Sequence, residues 1–157
     1  MPFLIDGYNL LRSIEKIYDE TVTDVRMCQI VGRYMLKIHD SGQVIFDGIG
    51  PPDKTGLHDI ANLEVIFSGA NTDADTIIEE KIRINTAPKS LTVVSSDIRL
   101  RTAARTRRAT DIRSDEFWAE VDKTLSKKGG VKEPSQKRHG LTEGETDEWL
   151  DIFGLDK

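Results

Sequence analysis

Four aspartates stand where apolar runs end. Asp6 closes Phe3-Leu4-Ile5, Asp47 closes Val44-Ile45-Phe46, and Asp97 follows Val93-Val94-Ser95-Ser96. Asp75 comes soon after a fourth run, Val65-Ile66-Phe67, within Asn71-Thr72-Asp73-Ala74-Asp75. A lone acid at a strand end is ordinarily a helix cap. Acids at the ends of three strands, joined by Asp75, carry a different meaning. Like charges brought together repel, and a cation relieves the repulsion. Donors that are all oxygen suit Mg2+ or Mn2+ rather than Zn2+. Such ions bridge to phosphate oxygens, acidify an attacking water and stabilise charge on a leaving oxygen. The predicted site is one acidic, metal-binding cluster.

An arginine-rich segment begins just after Asp97. Six arginines fall between residues 99 and 113, against one acid, Asp111. The spacing of Arg101, Arg105 and Arg108 puts them on one stripe of a helix over 99–109. Arg99 would lie beside the acids and reach a phosphate, and the stripe would follow a nucleic-acid backbone. The plainer alternative is a solvated helix face. The net charge of −5 is against a generally basic nucleic-acid binder, so the local patch carries this reading.

These residues need elements to hold them. Residues 2–6 read as a fully buried strand of a parallel sheet, being apolar up to the acid. Gly7 permits a tight turn into a helix carrying Leu10, Leu11, Ile14 and Ile17. Asn9 lies near the start of that helix, placed to cap or to bind. A second helix starts with Thr23 or Asp24 as N-cap and presents Val25, Cys28, Val31, Met35 and Ile38 on one face. The next strand is 43–47, and strand, helix, strand in this order implies a parallel pair with a right-handed crossover. Residues 48–56 form a glycine- and proline-rich loop, read either as a ligand loop at the carboxyl end of the strand or as plain surface. Strand 63–68 leads to a helix starting at Thr72 or Asp73, with Asp75 and Glu79 on one face and Ile77, Ile78 and Ile82 towards the core. Strand 90–95 precedes the arginine helix. A short strand 110–113 then precedes a helix over 115–125, capped by Ser114, with Phe117, Val121 and Leu125 inward. This alternation predicts an α/β fold.

Composition narrows the function classes. A chain of 157 residues, 31% charged and 38% apolar, fits one soluble domain with a real core. No apolar stretch approaches the roughly 18 residues needed to cross a membrane. The opening residues lack a basic, then apolar, leader pattern, so a cytoplasmic protein without membrane association is expected. The single cysteine, Cys28, allows no internal disulfide and reads as a buried structural thiol. A glycine fingerprint for dinucleotides and a P-loop are both absent. His39, His58 and His139 show no metal-ligand spacing. From residue 127 the composition shifts to a polar, basic linker, followed by an acidic segment with Trp149 and Phe153. That segment could dock on the arginine stripe, bind a partner protein, or remain a solvated tail. The predicted division is 1–126 for the domain and 127–157 for the linker and acidic segment.

Ile5-Asp6-Gly7-Tyr8-Asn9 resembles the opening signature of NYN domains, within the PIN-like nuclease fold. Val44-Ile45-Phe46-Asp47, Asp73-Ala74-Asp75 with Ile78-Glu79, and Ser95-Ser96-Asp97 are similar to the later motifs of the YacP-like branch. The resemblance spans about residues 2–125. It implies a PIN-like three-layer fold with a mainly parallel sheet in the order 3-2-1-4-5, flanked by helices. It also implies metal-dependent RNA cleavage, with Asp6, Asp47, Asp75 and Asp97 holding Mg2+ and Asn9 helping to position substrate or metal. The expectation is a Mg2+- or Mn2+-dependent endoribonuclease that cleaves RNA with a metal-activated water. Two alternatives stand beside it: an RNA-binding module without catalysis, and a metal-dependent phosphatase.

Overall fold

Every predicted apolar run is a strand in the computed structural model, which describes residues 2–126. In chain order the elements are β1 (Phe3–Asp6), α1 (Gly7–Tyr18), α2 (Asp24–Ile38), β2 (Gly42–Phe46), β3 (Leu63–Phe67), α3 (Ala74–Ile84), β4 (Thr92–Val94), α4 (Ile98–Thr106), β5 (Thr110–Ile112) and α5 (Ser114–Ser126). All neighbouring strands pair in parallel, in the order β3-β2-β1-β4-β5. The linker and acidic segment expected over 127–157, with their proposed docking or partner binding, lie outside the described residues.

The central strands β1, β2 and β4 are largely apolar because both faces of the sheet are covered there, while the edge strands carry Glu64 in β3 and Asp111 in β5. Side chains alternate between the two faces. Ile5, Val44, Phe46 and Val94 point into a core with Leu10, Ile14, Met27, Met35, Phe117 and Trp118, from α1, α2 and α5. Leu4, Ile45 and Val93 point into a second core with Ile78, Ile82, Leu100 and Ala104, from α3 and α4. The result is three layers, helices on each side of one sheet. Cys28 is fully buried in the first core as a free thiol, and burial raises its pKa.

Strand order places the site. The chain steps outward from β1 through β2 to β3, then crosses back to add β4 and β5 on the other side of β1. The direction of winding therefore reverses between β1 and β4. In open α/β sheets, ligands bind outside the carboxyl ends of the strands at such a reversal. Asp6 ends β1 there, and Asp97 caps the helix that follows β4.

Gly7 allows this edge to close. A Cβ on Gly7 would sit 2.5 Å from Cδ1 of the buried Phe46 ring and 2.9 Å from the Ile45 carbonyl oxygen. The start of α1 thus lies directly on the end of β2, which keeps Asp6 close to Asp47. The backbone atom cannot yield, so Gly7→Ala overpacks the junction. We expect a loss of roughly 1–3 kcal/mol in urea unfolding; an unchanged unfolding midpoint would show that the junction has room.

Candidate active site

Asp6 is a carboxylate at the end of an apolar strand, only 8% exposed. Its Oδ2 accepts a hydrogen bond from Ser95 Oγ at 2.9 Å. Burial raises its pKa from 3.8 to about 6, with further upward pushes from Asp75, Asp97 and Asp47; the Ser95 bond lowers it and only partly offsets them. These contributions place all four aspartates in one electrostatic neighbourhood.

Each neighbour is held by the turn it sits in. Asp47 Oδ1 accepts from the Ala74 N–H at 2.6 Å, which ties the start of α3 to the end of β2. Asp73 caps α3 by accepting from Thr76 N–H at 2.8 Å, so Asp75 falls in the helix's first turn. Asp97 caps α4 through Oδ1 and the Arg99 N–H, also at 2.8 Å. Acids at these positions also complement the positive ends of the helix dipoles. The pKa of Asp75 is raised, first by burial and then by Asp97, with Arg99 opposing.

Ser95 couples two of the acids, a role its place in the sequence does not reveal. It is fully buried. Its hydroxyl donates to Asp6 and accepts from the Asp97 N–H at 3.0 Å. A hydroxyl has one proton, so this pattern fixes both the Asp6 carboxylate and the turn that carries Asp97. Asn9 does related work. Its Oδ1 accepts from Ser96 N–H at 2.9 Å and from Ser114 Oγ at 2.6 Å. Rather than capping α1, Asn9 joins α1 to the end of β4 and the start of α5. Ser114, expected as a cap, instead donates its hydroxyl to Asn9. Tyr8 packs on Phe46 with ring centroids 4.9 Å apart.

The expected arginine stripe forms only in part: Arg101 and Arg105 share one face of α4, and Arg108 leaves it. Arg99 reaches back to α3, bonding Glu79 through Nε at 2.8 Å and Nη2 at 2.7 Å. Its Nη1 lies 4.0 Å from Asp75 Oδ2. Arg101 and Arg105 both bond Asp111 of β5, at 2.8 and 3.0 Å. Arg107 bonds the carbonyls of Ile82 and Asn85 at the end of α3. Arg108 lies outside the helix at φ 66, because α4 ends at Thr106 and the chain turns back through a left-handed residue. The 99–109 helix and the alignment of Arg108 with Arg101 and Arg105 are corrected accordingly.

The loops after β2 and β3 border the acids and are tied together. Gly69 N–H donates to the Gly48 carbonyl, and Gly48 N–H donates to Ser68 Oγ, both at 2.9 Å. A cleft of about 470 Å3, lined by Phe3, Gln43, Asn62 and Lys81 among others, opens at the opposite, amino end of the strands. The acids themselves edge an open surface.

Among the described residues, no three Asp, Glu, His or Cys side chains are gathered closely enough to hold an ion by themselves. Asp6, Asp47, Asp75 and Asp97 ring the reversal point instead of closing on one position. Their chemistry still fits a hard divalent cation. All donors are oxygens, and Asp6, Asp47 and Asp97 each use one carboxylate oxygen in the bonds above, leaving the other without a hydrogen bond among the described residues. Arg99 stands beside Asp75 but is engaged with Glu79. Mg2+ needs few protein ligands, since it keeps waters and takes phosphate oxygens.

Residues 3–152 match the YacP-like NYN domain family. The chain belongs to that family. This NYN domain is also similar to two crystal structures of Rae1 (YacP) from Bacillus subtilis. One gives a TM-score of 0.68 at 20% identity, covering 98% of this chain and 92% of that one. The other, a tryptophan-to-leucine mutant, gives 0.63 at 20% identity, covering 97% and 91%. At this identity the likeness shows the fold, and it agrees with the strand order above. No curated protein matches the chain. The family match continues past Ser126 to residue 152. YacP-like NYN domains are PIN-like nucleases, and membership supports an RNA-cleaving role in general.

The site's charge has a measurable consequence for stability. Folding raises the pKa of Asp6, so the folded chain binds the extra proton between about pH 4 and 6. Ionisation of Asp6 then destabilises the fold as pH rises through that window. We expect Asp6→Asn to stabilise the metal-free protein by on the order of 1–3 kcal/mol at about pH 8, an advantage that fades as pH falls towards about 4. Urea unfolding across this range checks it. Equal stability at the upper pH, or an advantage that persists at the lower, would contradict it.

Proposed function

We propose that this NYN domain is a Mg2+- or Mn2+-dependent endoribonuclease. The observation that carries the proposal is the buried Asp6 carboxylate at the winding reversal, with three further aspartates around it. Burying an ionised carboxylate is costly, and a bound cation would offset that cost. Asp6, Asp47, Asp75 and Asp97 would hold the cation. When bound, it supplies charge neutralisation at a phosphodiester and acidifies a water.

The chain's own residues do the rest. Ser95 fixes the Asp6 carboxylate relative to the Asp97 turn. Asn9 holds the end of β4 to the start of α5, and through them the position of Asp97. Arg99 binds phosphate beside the acids. Arg105 and Arg108, both exposed, contact the RNA backbone farther along, while Arg101, mostly buried against Asp111, orients that carboxylate for Arg105. The aspartates are ligands and not proton donors, so protonation of Asp6 below about pH 6 opposes cation binding. Among the described residues no helix is long and apolar enough to cross a membrane. An RNA substrate fits action in the cytoplasm.

Purified protein should cut RNA internally with Mg2+ or Mn2+. A chelator should stop cleavage and added Mn2+ should restore it. Asp6→Asn and Asp97→Asn should each cost several kcal/mol in the barrier, since a metal site fails as a unit. Cleavage that survives either substitution would overturn the proposal. RNA binding without cleavage, in a protein that binds Mn2+ weakly, would instead support a non-catalytic module.

A further inference from the structure

We propose that Glu79 is a positioning residue, which holds the Arg99 guanidinium at the acidic edge so that Arg99 meets the scissile phosphate. This rests on the nuclease reading above and adds a residue to it. Arg99 occupies the first turn of α4, where the helix dipole disfavours a cation. An acid from outside the helix offsets that. Glu79, on α3, does so with two parallel bonds to Nε and Nη2, at 2.8 and 2.7 Å.

This pair contributes little to stability. The Arg99 side chain is 49% exposed and that of Glu79 35%, and water screens ion pairs this exposed. What a bidentate bond supplies is direction. It occupies one edge of the guanidinium and leaves the Nη1 end bordering Asp75, 4.0 Å from Oδ2 and beyond hydrogen-bond range. The other arginines of this region are engaged elsewhere: Arg101 and Arg105 on Asp111, Arg107 on the end of α3. Arg99 is the arginine brought to the acids, and Glu79 sets which of its donors face them. A phosphate drawn to the acidic edge meets those donors. With both carboxylate oxygens of Glu79 bonded to Arg99, Glu79 acts through Arg99.

A double-mutant cycle on Glu79→Gln and Arg99→Gln tests this in the full chain, using RNA with Mn2+. Each single change should lower kcat roughly tenfold or more with KM little altered, as expected when a misplaced group fails in the transition state. In the Arg99→Gln background, Glu79→Gln should add less than about twofold. Mn2+ affinity of Glu79→Gln, measured by calorimetry, should stay within about twofold of the parent protein. Equal kcat losses in both backgrounds would overturn the role, as would a large loss of Mn2+ affinity, which would make Glu79 a ligand. If the parent protein leaves RNA intact, the nuclease reading itself fails. The same cycle is then read on RNA affinity: non-additive losses keep Glu79 acting through Arg99, and additive losses overturn it.

Discussion

One buried carboxylate constrains this structure more than any other group. Asp6 ends the central strand of a sheet covered on both faces, at the point where the chain reverses its winding. Its ionised form is unfavourable there, as its raised pKa shows. The surroundings relieve that cost only in part. Ser95 gives it one hydrogen bond, and the nearby charged side chains that act on it, Asp47, Asp75 and Asp97, are also acids. Gly7, packed against Phe46 and the Ile45 carbonyl, admits the turn that leaves Asp6 in this position. The fold therefore stores negative charge at its carboxyl edge, which the cation of the proposed function would discharge.

The surrounding acids serve two purposes at once. Asp97 is a helix cap by geometry, and Asp47 binds a backbone N–H at the start of the neighbouring helix. A capping bond uses one carboxylate oxygen and leaves the other. Cap and ligand are thus compatible roles for the same residue. Backbone donors hold these carboxylates in place with no cation, which is the preorganisation the proposed site would require. The acids ring the edge without closing on one point, and this suits an ion that completes its shell with water and substrate oxygens.

Much of this was legible in the sequence for a physical reason. Parallel strands buried on both faces must be apolar until they end, so an acid marks the end of β1 and lies just past the end of β2. That pattern marks Asp6 and Asp47, while Asp75 and Asp97 come from the first turn of α3 and the cap of α4, and the DGYN signature pointed to the family. What the sequence hid were partners distant along the chain. Asn9 meets Ser96 and Ser114, which lie 87 and 105 positions away. The arginines looked like one stripe by helical spacing, yet Asp111 on β5 captures Arg101 and Arg105, and Glu79 on α3 captures Arg99. Arg108 left the stripe because the helix ended earlier than its composition suggested. Ser95 read as an ordinary strand-end serine, and its coupling of Asp6 to Asp97 appears only once β1 and β4 are side by side.

The central claim is that the carboxyl edge of β1 and β4 is a cation site. Anomalous scattering from crystals soaked in Mn2+ tests it most directly. A peak is expected in contact with the Asp6 and Asp97 carboxylates, lost in crystals of Asp6→Asn. Saturating Mn2+ with no peak at that edge, or a peak bound only elsewhere on the molecule, would contradict it.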